Sequence, residues 1–131
     1  MSEAADRMAR SALHRAATLG DFAGVQSALA AGDDPNALDS AGWTPLHFAA
    51  QAQSPEVASA LLLAGAAVDT KDDHGNTPLW RAVFNYRGDP RVLLVLRDSG
   101  ADPDRANAHG VSARQLAGRI ANYDVATHLT W

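Results

Sequence analysis

Apolar residues in this chain fall at the three-to-four spacing of a helix rather than the alternation of a strand. Leu13, Ala16 and Ala17 are echoed by Leu46, Ala49 and Ala50, and again by Leu79, Ala82 and Val83. A second set carries larger side chains: Val57, Leu61 and Leu62, then Val92, Val95 and Leu96, then Val125 and Leu129. The pattern predicts helices in pairs, the first of each pair lined with small alanines that let neighbours approach closely. Within the first set, Thr44-Pro45-Leu46-His47-Phe48-Ala49-Ala50 returns thirty-three residues later as Thr77-Pro78-Leu79-Trp80-Arg81-Ala82-Val83. A fixed period of that length means one supersecondary unit stacked on its copies. No unit can bury its apolar stripe alone, so at least about three are needed for stability.

Polar punctuation divides the chain the same way. Ser11, Thr44, Thr77 and Ser112 each precede a first helix and can cap it, with Pro45 and Pro78 at the first helical position, where a missing N–H is harmless. Asp21, Ser54, Asp89 and Asn122 are expected to cap the second helices, with Pro55 and Pro90 just inside. Gly32, Gly65 and Gly100 suit the left-handed position that ends a helix, and Gly42, Gly75 and Gly110 sit in polar turns between units. Both sets step by 33 and then by 35 residues. The third unit therefore carries a two-residue insertion, which puts Phe84-Asn85-Tyr86-Arg87-Gly88 between its helices where the second unit has Gln51-Ala52-Gln53.

The phrase, its period and the segments Leu29–Asn36, Leu61–Asp69 and Ser99–Asp104 resemble the ankyrin repeat, a β-turn followed by two antiparallel helices. The resemblance runs from about Ser11 to Trp131 and implies an all-α repeat solenoid. Residues 1–131 then form one domain of four stacked helix-turn-helix repeats, near 5–38, 39–71, 72–106 and 107–131, with short β-turns or hairpins between them. The terminal repeats are expected to act as caps, Arg114 standing where earlier units have Leu46 and Leu79. By the same resemblance His14 and His47 hydrogen-bond locally and hold their turns.

Composition narrows the function. With no cysteine, the chain has neither disulfides, thiolate metal sites nor a cysteine nucleophile. A net charge of −4 from 13 Asp, 2 Glu, 10 Arg and 1 Lys argues against nucleic acid and mildly for a basic partner. The residues from Met1 to Gly20 make no secretory signal, and no stretch is apolar and long enough to span a membrane, so a soluble cytoplasmic protein is expected. The preference for Ala, Arg and Asp suggests a bacterial source. Phosphate-cradling glycine patterns, the paired-His zinc motif and the serine elbow are missing, and the chain is read as a non-enzyme without a cofactor. Asp69, Asp72, Asp73 and His74 form the densest group of potential metal ligands, but Lys71 interrupts a calcium loop and turn formation explains them more simply.

What remains is a protein-binding module, expected to be monomeric. The resemblance places partners on the concave side, made of turn tips and first helices. Candidate contacts there are Trp43, Asp73, His74, Asn76 and His109, with Trp43 and His74 as anchors because large residues on turn tips have no core to explain them. The inserted stretch adds Phe84, Asn85, Tyr86 and Arg87, with Trp80 on the helix that leads into it. Trp80 and Phe84 share a helix face, whereas Tyr86 and Arg87 extend from its end. Tyr123 is expected to pack. A narrower version, also by resemblance, is an immunity protein whose acidic tips at Asp39, Asp72 and Asp73 neutralise a basic toxin. Self-association through Leu129 and Trp131 is the structural alternative.

Overall fold

Four turns of one pattern are wound into a short solenoid in the computed structural model, which describes residues 9–120 and 124–131. The first helices are α1 (Ala12–Thr18), α3 (Pro45–Gln51), α5 (Pro78–Phe84) and α7 (Ala113–Arg119). The second helices are α2 (Phe22–Ala30), α4 (Pro55–Leu63) and α6 (Arg91–Asp98), and a 3-10 helix, Val125–His128, stands in the fourth unit. Each first helix packs on its own second helix and on the first helices of adjacent units, so α1, α3, α5 and α7 form one row and α2, α4 and α6 another. No strand occurs among the described residues, and the fold is the all-α repeat solenoid that the periodicity predicts.

The caps act as expected on the first helices. Ser11, Thr44, Thr77 and Ser112 accept the backbone N–H three residues on, at 3.2, 3.3, 3.2 and 3.2 Å. The second helices are less uniform. Asp21 accepts the Gly24 N–H at 3.0 Å, but Ser54 makes no side-chain cap bond. Helix α6 begins one residue late with Pro90 as its cap, because the Asp89 carboxylate holds both the Arg91 N–H (3.0 Å) and its guanidinium (2.8 Å). Asn122 and Tyr123 lie outside the described residues.

Leu13, Leu46 and Leu79 are wholly buried in the inner row, flanked by the alanines that pack beside them. From the second row Val25, Val57, Leu61, Val92, Leu93 and Leu96 close the core. Leu62 and Val95, predicted to be inside, are only half-buried, and Leu93 takes the inner place instead. At the C-terminal end Arg114 forms an ion pair with Asp104 at 2.7 Å and donates to the carbonyls of Leu129 and Trp131. A charged group in the leucine position thus ties down the chain end.

Histidines couple the units. The carbonyl of Asn76 can only accept, so His47 Nε2, 2.8 Å away, carries the ring proton, and Nδ1 accepts the Thr44 N–H at 3.1 Å. His14 repeats the arrangement with Trp43 O at 3.0 Å. Burial pushes the His47 imidazole below its ordinary value, only partly offset by the Asn76 carbonyl. Protonation therefore favours the unfolded chain. The stability held by His47 is complete above about pH 6.5 and drains away below it, with a slope of at most about 1.4 kcal/mol per pH unit for a single group. Gln115 makes the same cap in the fourth unit without titrating, accepting the Ser112 N–H at 2.9 Å. Urea midpoints at pH 7.5 and 5 should accordingly converge in His47→Gln; an equal acid loss in both proteins would exclude His47 as the source.

Candidate partner-binding surface

Each inter-unit turn is built around one side chain. Asp39 Oδ1 accepts the N–H groups of Ala41 and Trp43, both at 2.9 Å; Asp72 Oδ1 accepts those of His74 and Asn76 at 2.9 and 3.0 Å. Asn107 does the same for His109 and Val111. A single carboxylate or amide satisfies two donors that a tight turn leaves over. Gly42, Gly75 and Gly110 complete the turns at φ near +77, +77 and +76. The tips are then stitched together, Asp73 N–H to Ala41 O at 3.0 Å and Ala108 N–H to His74 O at 2.9 Å.

Behind the tips a file of rings and guanidinium groups crosses the first helices. Arg10 lies 4.7 Å above the Phe48 ring, Phe48 is 4.7 Å from Trp43, and Arg81 is 4.4 Å from Trp43 and 5.4 Å from Trp80. Trp80 stacks on Phe84 at 5.4 Å and 11°. Asp39 pairs with Arg10 at 3.2 Å, Asp72 with Arg81 at 3.1 Å, and both carboxylates are buried. Each cation–π contact contributes roughly 0.5–2 kcal/mol, so the file is held rigid across three units. Two buried donors, Trp80 Nε1 and Arg81 Nε, find no acceptor among the described residues.

This geometry corrects several expectations. Trp43 is half-buried and packs on His47, Phe48 and Arg81, so it has a structural explanation. Asn76 is buried, its side-chain oxygen accepting Asn107 Nδ2 at 2.9 Å. Tyr86 does not extend into solvent. It is 4 % exposed, with its hydroxyl 3.4 Å from Asp124 and its ring 6.2 Å from that of His128 in the 3-10 helix. Asp39 and Asp72 point inward and are not acidic tips. The group from Asp69 to His74 is dispersed: Asp69 accepts the Asp102 N–H at 3.1 Å and Asp72 belongs to its turn, while Asp73 and His74 face solvent. Among the described residues no three metal-ligating side chains converge.

Asp73, His74, His109, Phe84 and Arg87 are exposed. Trp80 and Asn85 are half-buried, and Asn85 Nδ2 donates to Arg81 O at 2.9 Å. A cleft of about 300 Å³ opens where Gln51 and Gln53 of the second unit meet Asn85, Arg87 and Asp89 of the third, with Phe48 in its lining. Arg10, Arg81 and Gln53 are the residues here that the sequence reading missed. Arg81 had a signal, since it stands where Phe48 stands in the repeated phrase and breaks an apolar position.

The family model for ankyrin repeats, in three copies, matches residues 11–107. The chicken (Gallus gallus) nuclear factor NF-kappa-B p105 subunit is 37% identical over 99 residues, covering 74% of this chain and 10% of that protein. Human (Homo sapiens) protein phosphatase 1 regulatory subunit 27 is 39% identical over 67 residues, covering 51% of the chain and 44% of that protein. The E3 ubiquitin-protein ligase KEG of Arabidopsis thaliana is 34% identical over 108 residues, 82% of the chain and 6% of its own length. The chain thus spans less than half of each of these relatives. With the repeated caps, the bridging histidines and the stitched turns, the match over residues 11–107 places this chain in the ankyrin-repeat family.

Proposed function

We propose that this chain is a non-catalytic protein-binding module whose partner seats on the concave face, across the tips at Asp73, His74 and His109 and into the cleft bordered by Asn85 and Arg87. Ankyrin repeats mediate protein–protein interaction. The observation that carries the reading for these residues is Phe84. It is 59 % exposed yet stacked flat on Trp80, a large ring held in one orientation with water on its outer side. Aromatic and arginine side chains of that kind supply most of the energy in interfaces, and a fixed rotamer lowers the entropy lost on binding.

The toxin-neutralising version loses its charge argument. Of Asp39, Asp72 and Asp73, only Asp73 is exposed, beside His74 and Lys71.

The test is Phe84→Ala/Arg87→Ala, with Trp43 and Tyr86 left intact because they pack. Both replaced side chains are exposed, so stability should change by less than about 0.5 kcal/mol each. Affinity for a partner captured from native lysate should fall at least about a hundredfold. Unchanged capture by the folded double variant would remove this surface from consideration.

A further inference from the structure

Charge is distributed unevenly over the solenoid. None of the four first helices contains an Asp or a Glu, while α1, α5 and α7 each contain arginine. Arg15, Arg87 and Arg119 are exposed and form no ion pair among the described residues; Arg15 donates only to the carbonyl of Arg10, at 2.9 Å. Every other described arginine is neutralised by a carboxylate, as Arg10 is by Asp39, Arg81 by Asp72 and Arg114 by Asp104. The unpaired three share one side of the molecule. Arg15 holds the place in α1 that Phe48 holds in α3 and Arg81 in α5, four residues after the cap. Arg119 holds the place in α7 that Gln51 and Phe84 hold in α3 and α5, seven residues after it. Positions three apart lie on one helix face, and on α5 that face carries the exposed Phe84 ring. Arg87 borders the cleft beside Thr18 and Gln51, which stand at the same seventh place in α1 and α3. The one carboxylate in that lining, Asp89, is already held by the Arg91 guanidinium at 2.8 Å.

We propose that the partner presents an acidic, extended polypeptide segment to the row of first helices, its carboxylates on Arg15, Arg87 and Arg119 and an apolar side chain on Phe84. The proposal rests on the concave reading above and narrows the chemistry of the partner. The net charge of −4 points toward a basic partner, but placement reverses that sign on this face. A basic segment would meet three uncompensated guanidinium groups and no free carboxylate in the row. Helix ends do not supply the missing counter-charge, because a C-terminus amounts to only about half an elementary charge. A carboxylate accepts two parallel N–H bonds from a guanidinium, which fixes the direction of the segment as well as holding it. Stacked helices stand about 8–10 Å apart, so the row is about 25–30 Å across, the reach of eight or nine extended residues. The acidic chain favours a short segment over a long polyanion such as nucleic acid, which would also run against Asp73 on the tips.

A phage library of random peptides about nine residues long, panned against the purified chain, should enrich sequences with several Asp or Glu residues around an apolar one. Fluorescence anisotropy then reads the affinity of the selected peptides. It should fall roughly three- to tenfold in each of Arg15→Gln, Arg87→Gln and Arg119→Gln, and at least about thirtyfold in the triple variant. Arg97→Gln removes an equal charge from α6 and should leave affinity within about twofold. Circular dichroism checks that each variant is folded. Acidic peptides that bind the triple variant as well as the parent overturn the proposal. So does a single-stranded oligonucleotide of the same length bound as tightly as the peptides. Neutral or basic peptides that lose affinity in Phe84→Ala overturn the acidic segment alone and leave the concave surface standing. Failure to enrich any peptide overturns both.

Discussion

Leu79→Ala lowers the unfolding free energy by about 3–5 kcal/mol, the upper range for removing a leucine from a packed core. Leu79 is wholly buried on α5, and α5 packs on α3, α6 and α7 at once. The neighbours are held by caps and bridges of their own, so they cannot collapse into the space and a cavity persists. Position in the stack raises the effect further. Stability in a repeat array is the sum of each unit's own term and its interfaces with the next, and Leu79 enters the third unit and both of its interfaces. Leu63→Ala removes the same atoms from the exposed back of the second unit and should change stability by no more than about 0.5 kcal/mol. Urea unfolding of the two variants measures the difference directly. A loss below about 1 kcal/mol in Leu79→Ala would mean that the inner row is not the stabilising core.

The fold was legible because its determinants are local and repeated. A hydroxyl before each first helix and, through the third unit, an apolar triad inside it and a glycine after each second helix are short-range signals, and the structure uses them as read. The errors concern contacts between residues far apart in sequence. Tyr86 reads as an exposed loop tyrosine until Asp124 and His128, about forty residues on, are seen to lie against it. Asp39 and Asp72 read as surface charge, yet each turn needs an acceptor for two of its own N–H groups, and each carboxylate then draws a guanidinium over it. Trp43 reads as an unexplained aromatic because Arg81, which lies over its ring and completes the packing that His47 and Phe48 begin, belongs to the next unit. What a periodic pattern conveys is which residues occupy equivalent places. It does not convey what the next copy presents to them, and the candidate surface is made of those differences: Trp80 where His47 stands, Arg81 where Phe48 stands, and an insertion in one unit only.

Gly75→Ala separates the two demands that a turn glycine meets, and the control lies in the same chain. Gly75 and Gly110 have equivalent turns, with φ of +77° and +76°. An added Cβ strains both backbones alike, by roughly 1–2 kcal/mol. Their surroundings differ. At Gly75 the new carbon would sit 2.8 Å from the backbone N of Ala108 and 3.1 Å from Cα of Asn107, whereas at Gly110 nothing among the described residues lies within 4 Å. Those neighbours are main chain and cannot rotate aside. The third and fourth tips must part, which strains the Ala108 N–H to His74 O bond and the Asn107 to Asn76 side-chain bond. Two bonds of that kind contribute about 1 kcal/mol each, so Gly75→Ala should cost roughly 3–4 kcal/mol against 1–2 for Gly110→Ala. Faster amide exchange at Ala108 should accompany the first change and not the second. Equal losses in the two variants would show that backbone conformation alone requires glycine here, and that the tips are not held together by their close approach. Because His74 and His109 stand on these two tips, the same displacement should also weaken partner capture in Gly75→Ala while Gly110→Ala, whose added carbon meets none of the described residues, retains it.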